Sequence, residues 1–151
     1  MLNQLPPPLI EFFNGKNVSD KQHEAILLLS VDEEQWPHVA MISVGEIVAI
    51  NESELRLSLW PNTVTSTNLN RTGQATIVVF LEAVAYYVKL SVQEQSISDA
   101  RHERQGFVAT VASIRADVAK YADIISGVRI QLKEPEPVIQ RWTETIEDML
   151  S

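Results

Sequence analysis

Residues 60–73 read WPNTVTSTNLNRTG and crowd hydroxyls at Thr63, Thr65, Ser66 and Thr67. They fall where an alternating apolar run ends and a short helix is expected to begin. A helix N-terminus presents unpaired backbone N–H groups and a partial positive charge. Hydroxyls beside it add donors. Together they can hold a phosphate with little formal positive charge. The commoner use of such residues is plainer: Thr63 caps the helix and the other hydroxyls face water. Spacing alone leaves both readings open.

Lys89, in the middle of YYVKL, is a second residue with possible chemistry. Alternation sets it opposite Tyr86, Val88 and Leu90, on a face that is solvated or, in a cleft, able to meet an anion. Arg56 and Arg71 flank the hydroxyl-rich corner and carry the same two readings. The three histidines, His23, His38 and His102, have no ligand spacing on a convincing helix, so no metal site is expected. The carboxylate pair Glu33–Glu34 lies in a turn and reads as solvated. No nucleophile-elbow, phosphate-loop or dinucleotide fingerprint occurs.

The chain has 151 residues, no cysteine and a formal charge of −8. That length suits one domain, spanning residues 1–151, with a core that needs no disulfides. The acidic balance disfavours nucleic acid and anionic membranes, whose affinity rests on basic charge. A small anionic ligand needs only a local cluster of donors. The N-terminal stretch lacks the basic and long apolar regions of a signal peptide. No apolar run approaches membrane-spanning length. The expected setting is the cytoplasm.

The elements that must position these residues can be read from periodicity. Residues 8–14 predict a short helix ended by Gly15. Strands are expected over 24–31 and 36–50, the second interrupted by a bend at Gly45. LRLSLW (55–60) alternates as a half-buried strand. A helix over 63–71, capped by Asn62 or Thr63 and closed by Gly73, leads to strands over 75–81 and 84–96. Phe107, Val111, Ile114, Val118, Tyr121 and Ile125 step by fours and threes and predict an amphipathic helix over 107–125. VRIQLK (128–133) predicts a further strand, and Pro135 and Pro137 open a last helix with Val138, Ile139, Trp142, Ile146 and Met149 on its buried face. The fold class expected is mainly β with flanking helices, six strands, mostly hairpin-linked and antiparallel, in a small barrel.

The order of strand, LRLSLW, helix and strand, and above all TVTSTNLNRTGQATIVVF, resembles the pyridoxamine 5′-phosphate oxidase-like proteins of the FMN-binding split-barrel fold. Those proteins run from a strand into a Ser/Thr-rich turn, a short helix with a small-x-Lys-x-x-Asn-Leu pattern, and an apolar strand. Asn68-Leu69 matches the Asn-Leu pair, Thr63 takes the small hydroxyl position, and Thr65 stands where the lysine would be. The resemblance covers residues 24–97. It implies a six-stranded split barrel, a homodimer, and FMN at the dimer interface as the cofactor. It implies a phosphate site at Thr63, Thr65 and Ser66, with Lys89 as a further contact and Trp60 and Pro61 beside the ring system. Two departures matter: Thr65 replaces a cation, and GEIVAI (45–50) lacks the arginine and lysine that relatives carry in the preceding strand. An FMN-dependent oxidoreductase on a small molecule is one implied function. A non-enzymatic dimeric module of the same fold, binding FMN or haem, is the other.

Overall fold

The computed structural model describes residues 3–97 and 100–151. The elements run α1 (Pro7–Phe12), β1 (Ile26–Val31), β2 (Pro37–Ile42), β3 (Ile47–Ala49), β4 (Glu54–Leu59), α2 (Val64–Thr72), β5 (Gln74–Leu81), β6 (Val84–Glu94), β7 (Gln105–Asp117) and α3 (Pro135–Leu150). The strands form one antiparallel sheet of seven strands, not the six expected, in the order β2-β1-β5-β6-β7-β4-β3.

That order forces the sheet to curl. β2 and β3 are its opposite edges, yet only residues 43–46 join them. So short a link reaches at most roughly 18 Å, whereas the edges of a flat sheet of this width would lie roughly 29 Å apart. The sheet therefore rolls into a barrel split along the β2–β3 seam. Its interior is filled by Leu28, Leu55, Leu57, Ile77, Val88 and Phe107, each 0–2% exposed. Gly45 lies in the seam turn because a Cβ there would meet the Trp142 ring at 2.1 Å. Trp142, Ile146 and Met149 seat α3 against β3 and β4.

Three expectations are corrected. The strand expected over 36–50 breaks at the Gly45 turn into β2 and the short β3. Residues 128–133 form no strand, only an isolated bridge from Glu24 to Arg129, with Ile130 N–H donating to the His23 carbonyl at 2.8 Å. The helix expected over 107–125 is the strand β7 followed by irregular chain. A register shift opposite Lys89 and Leu90 leaves Ala112 as an extra residue, since Lys89 pairs with Ser113 and Leu90 with Val111. Phe107 to Val111 is two strand periods, the bulge lengthens the next step to three, and Ile114 resumes the buried face. A bulged strand thus imitates a helical stripe. Val118, Tyr121 and Ile125, which completed that stripe in the sequence, are 58%, 94% and 95% exposed.

Candidate functional site

α2 begins as its sequence predicts. Thr63 is the N-cap, its Oγ1 accepting from Ser66 N–H at 3.1 Å, and Gly73 closes the helix at φ 68°. The strand β4 delivers Trp60 to this corner, and the Trp60 carbonyl accepts from Ser66 Oγ at 2.7 Å and Thr63 Oγ1 at 3.4 Å. Those two hydroxyls are therefore engaged inside the chain. Thr65 is 7% exposed and Ser66 1%, while Thr67 is exposed. Asn68 anchors the helix from below, its Nδ2 donating to Ser30 Oγ at 3.0 Å. Pro61 is half-buried beside Trp60, which is 49% exposed.

The corner holds two cations that the sequence reading missed. The Arg104 guanidinium lies 4.2 Å from the Trp60 ring centre, and that of Arg141 lies 5.7 Å from it. Arg104, just before β7, has a side chain only 6% exposed; it pairs with Glu46 at 3.3 Å and donates to the Ser58 carbonyl at 2.6 Å. Burial lowers its pKa from the usual arginine range; the Glu46 carboxylate opposes this and the positive charge of Arg141 adds to it. Arg141, on α3, forms no ion pair among the described residues. Two like charges over one indole beside a helix N-terminus are a place where an anion is favoured. No local pattern could have revealed them, because β4, the β6–β7 connection and α3 are far apart in sequence.

The structure does not bring Lys89 to this corner. Lys89 is exposed on the outer face of β6 and lines a cleft with Arg71, at the opposite end of α2. Arg71 donates to the Val31 carbonyl and to Asn68 Oδ1 at 3.1 Å. Arg56 donates to the Met149 carbonyl at 2.6 Å, tying β4 to α3; its buried Nε makes no hydrogen bond and lies 4.0 Å from Glu54 Oε2. The histidines lie apart: His23 Nδ1 is 3.0 Å from the Ile130 carbonyl, and His102 Nε2 is 3.1 Å from Glu144. Among the described residues no group of three His, Asp or Glu could hold a metal ion. No helix among them is long and apolar enough to cross a membrane.

No family model matches the chain. YclD of Bacillus subtilis (strain 168), an uncharacterised protein, is 46% identical over 149 residues, covering 98% of this chain and 97% of YclD. The chain belongs to the YclD family. Its fold is that of the pyridoxamine 5′-phosphate oxidase-like, FMN-binding split barrels. A candidate pyridoxamine 5′-phosphate oxidase from Lactobacillus delbrueckii superposes with a TM-score of 0.59 at 16% identity, over 76% of this chain and 95% of that one. An FMN-binding protein from Syntrophomonas wolfei gives 0.52 at 15% identity, over 70% and 86%. The flavin reductase of the styrene monooxygenase of Pseudomonas putida S12 gives 0.51 at 12% identity, over 65% and 81%.

Proposed function

We propose that this protein is a cytoplasmic, homodimeric FMN-binding flavoprotein that acts as an oxidoreductase on a small molecule. The observation that carries the reading is the pair of guanidiniums, Arg104 and Arg141, set over Trp60, whose backbone leads into the N-cap of α2. They supply the positive charge that the sequence lacks at Thr65 and in GEIVAI. The residues fit a phosphate monoester. The first N–H groups of α2 at Val64 and Thr65 are orphans of the helix, Thr63 and Ser66 fix the turn that aims them, and Arg141 has no competing carboxylate among the described residues. Trp60 and Pro61 offer an apolar wall for the ring system. Bound FMN would supply the redox chemistry; the chain would hold the phosphate, orient the ring and limit water.

The homodimer is supported by the outer face of the sheet. Met41, Val39 and Trp36 are 61%, 54% and 68% exposed. The cross-strand row Met41–Leu27–Val78–Tyr87 continues that apolar surface over β2, β1, β5 and β6. Apolar patches of this kind mark interaction surfaces, and a second copy would cover it.

The test is a visible spectrum of the purified protein, followed by titration with FMN and with riboflavin. The reading expects flavin fluorescence to be quenched, with FMN bound at least tenfold more tightly than riboflavin, since a hydrogen bond to a charged group contributes about 1.5–3 kcal/mol. Equal affinity for the two would remove the phosphate site. A haem-like band with no flavin binding would overturn the cofactor.

A further inference from the structure

A cleft of about 620 Å³ opens on the outer face of the sheet, beyond the C-terminal turn of α2. Its volume falls within the range of small-molecule sites. None of residues 60–66 lines it, nor do Arg104 and Arg141, so it is separate from the corner discussed above. Its floor combines Leu29 on β1 with the Val31–Pro37 cross-strand pair. Across it runs a second row, Leu29–Thr76–Lys89–Ser113, in which directly opposed residues share a face. Leu29 is also paired with Val39, so the apolar end of the cleft borders the surface proposed above for a second copy, and Lys89 lies three strands away from Val39.

Two features give this cleft a polarity. Lys89 stands between Thr76 and Ser113 with no ion pair among the described residues. The β-bulge lies directly beside it: the register slips between Lys89 and Leu90, and the extra residue, Ala112, is exposed and lines the same cleft. Bulges re-aim side chains, and they are over-represented beside active sites. Arg71 reaches in from α2, held by the Val31 carbonyl and Asn68, with Glu33 at 3.8 Å. The acidic group in the lining, Asp32, is already engaged: its Oδ1 accepts the N–H groups of Glu34 and Trp36, each at 2.9 Å.

We infer that this cleft is a second ligand site, for a small organic anion whose apolar body lies on Leu29, Val31 and Pro37 and whose carboxylate or phosphate meets Lys89 and Arg71. Within the row, Leu29 on β1 is apolar and Lys89 on β6 is cationic, while Arg71 reaches in from α2 at the Val31 edge of the apolar floor. Thr76 and Ser91, both in the lining, add hydroxyls between the two ends.

The probe is 1-naphthyl phosphate, with 1-naphthol as the neutral control, followed by fluorescence and by amide chemical shifts of the full chain. The expected result is binding of the phosphate at least tenfold tighter than the naphthol, with shifts at residues 74–76, 89–91 and 112. Lys89→Gln, on an exposed side chain, should weaken the phosphate about tenfold and leave the naphthol unchanged. Arg71→Gln should weaken it as well, and a thermal melt of each variant separates lost binding from lost fold. Equal affinity for the two probes, no effect of Lys89→Gln, or shifts confined to residues 60–66 would each overturn the inference. FMN serves as the second arm. If FMN fails to bind while 1-naphthyl phosphate behaves as stated, the flavin reading falls and this one stands. If Lys89→Gln weakens FMN as much as the naphthyl phosphate, one site serves both and the inference of a second site falls.

Discussion

Arg141→Gln removes one charge from the corner and should separate ligand binding from folding. In the absence of ligand the loss is small. The guanidinium lies 5.7 Å from the Trp60 ring centre, and an exposed cation–π contact is worth about 0.5–1 kcal/mol. Against that, Arg141 repels the buried Arg104, and its removal relieves that cost. The net change in stability should stay within about 0.5 kcal/mol, too little for a clear shift of the thermal midpoint. With FMN the balance differs. A charge-assisted hydrogen bond to the phosphate contributes about 1.5–3 kcal/mol, so affinity should fall roughly 10- to 150-fold. Riboflavin, which lacks the phosphate, should bind within about twofold of the native protein. Thr63→Ala, by contrast, acts on folding as well as on the aim of the α2 N–H groups. It deletes the acceptor for Ser66 N–H and should cost about 1 kcal/mol of stability as a lost N-cap. Fluorescence titration and thermal melts on the same samples measure both. If Arg141→Gln weakens FMN and riboflavin alike, or moves FMN less than threefold, Arg141 does not meet a phosphate and the argument from the guanidinium pair fails.

Gly45→Ala places a Cβ 2.1 Å from the Trp142 ring; overpacking of this kind costs about 1–3 kcal/mol, or roughly 2–12 °C in Tm, read by a thermal melt. Phe107→Ala, at a side chain 2% exposed in the barrel, should cost about 3–5 kcal/mol in a denaturant titration. On the acid side, hydrogen bonds from His102 and Gln140 hold the Glu144 carboxyl low. Burial pushes Asp148 up, but the backbone N–H and guanidinium of Arg101 outweigh it and hold its pKa low as well. Depressed carboxylates stabilise above their unfolded pKa values and lose that contribution as pH falls through the folded ones, so melts between pH 7 and 3 should show stability lost below the usual carboxylate range. Asp148→Asn should flatten part of that slope. Sedimentation at micromolar concentration should show a dimer; a monomer would leave the exposed row of Val39, Met41 and Trp36 unexplained.

What was legible in the sequence was local chemistry. α2 could be placed from Thr63 to Gly73 because a cap hydroxyl and a left-handed glycine act within a few residues of themselves. β4 and β6 alternate in sequence because each has one face in the barrel, although Ser58 and Ala85 on their other faces are buried as well. β7 was misread because its bulge at Ala112 shifts the buried phase from odd to even positions, and the resulting steps of four and three are those of a helix. The β-branched run FVATVASI pointed to a strand, and length and composition should have outweighed the period there. VRIQLK alternates as a strand, but its pairing is limited to the one bridge at Arg129, so the alternation had no ladder to serve. The site was legible only in its local half. The cap, the hydroxyls and Trp60 are contiguous; Arg104 and Arg141 reach them only through the sheet order and the docking of α3.

The anion site proposed for a chain of charge −8 requires this division. The protein's overall field repels anions, so the site must be made by a few fixed charges at short range. At the corner, the two arginines against Glu46 leave a local excess of one positive charge, to which the helix N-terminus adds about half an elementary charge. The two arginines are not equivalent. Arg104 is buried and committed to Glu46 and Ser58, so it fixes the field and supports the indole but has little freedom to donate. Arg141 is half-buried, lies farther from the ring and has no carboxylate partner among the described residues. It is the one able to turn toward a ligand. Thr65, which by the resemblance stands where a lysine would be, is 7% exposed, and the nearby positive charge comes instead from Arg104 in the β6–β7 connection and Arg141 on α3. Anion affinity at this corner, as proposed, would therefore depend on the docking of α3, to which Trp142 against Gly45, Ile146, Met149 and the Arg56–Met149 hydrogen bond all contribute.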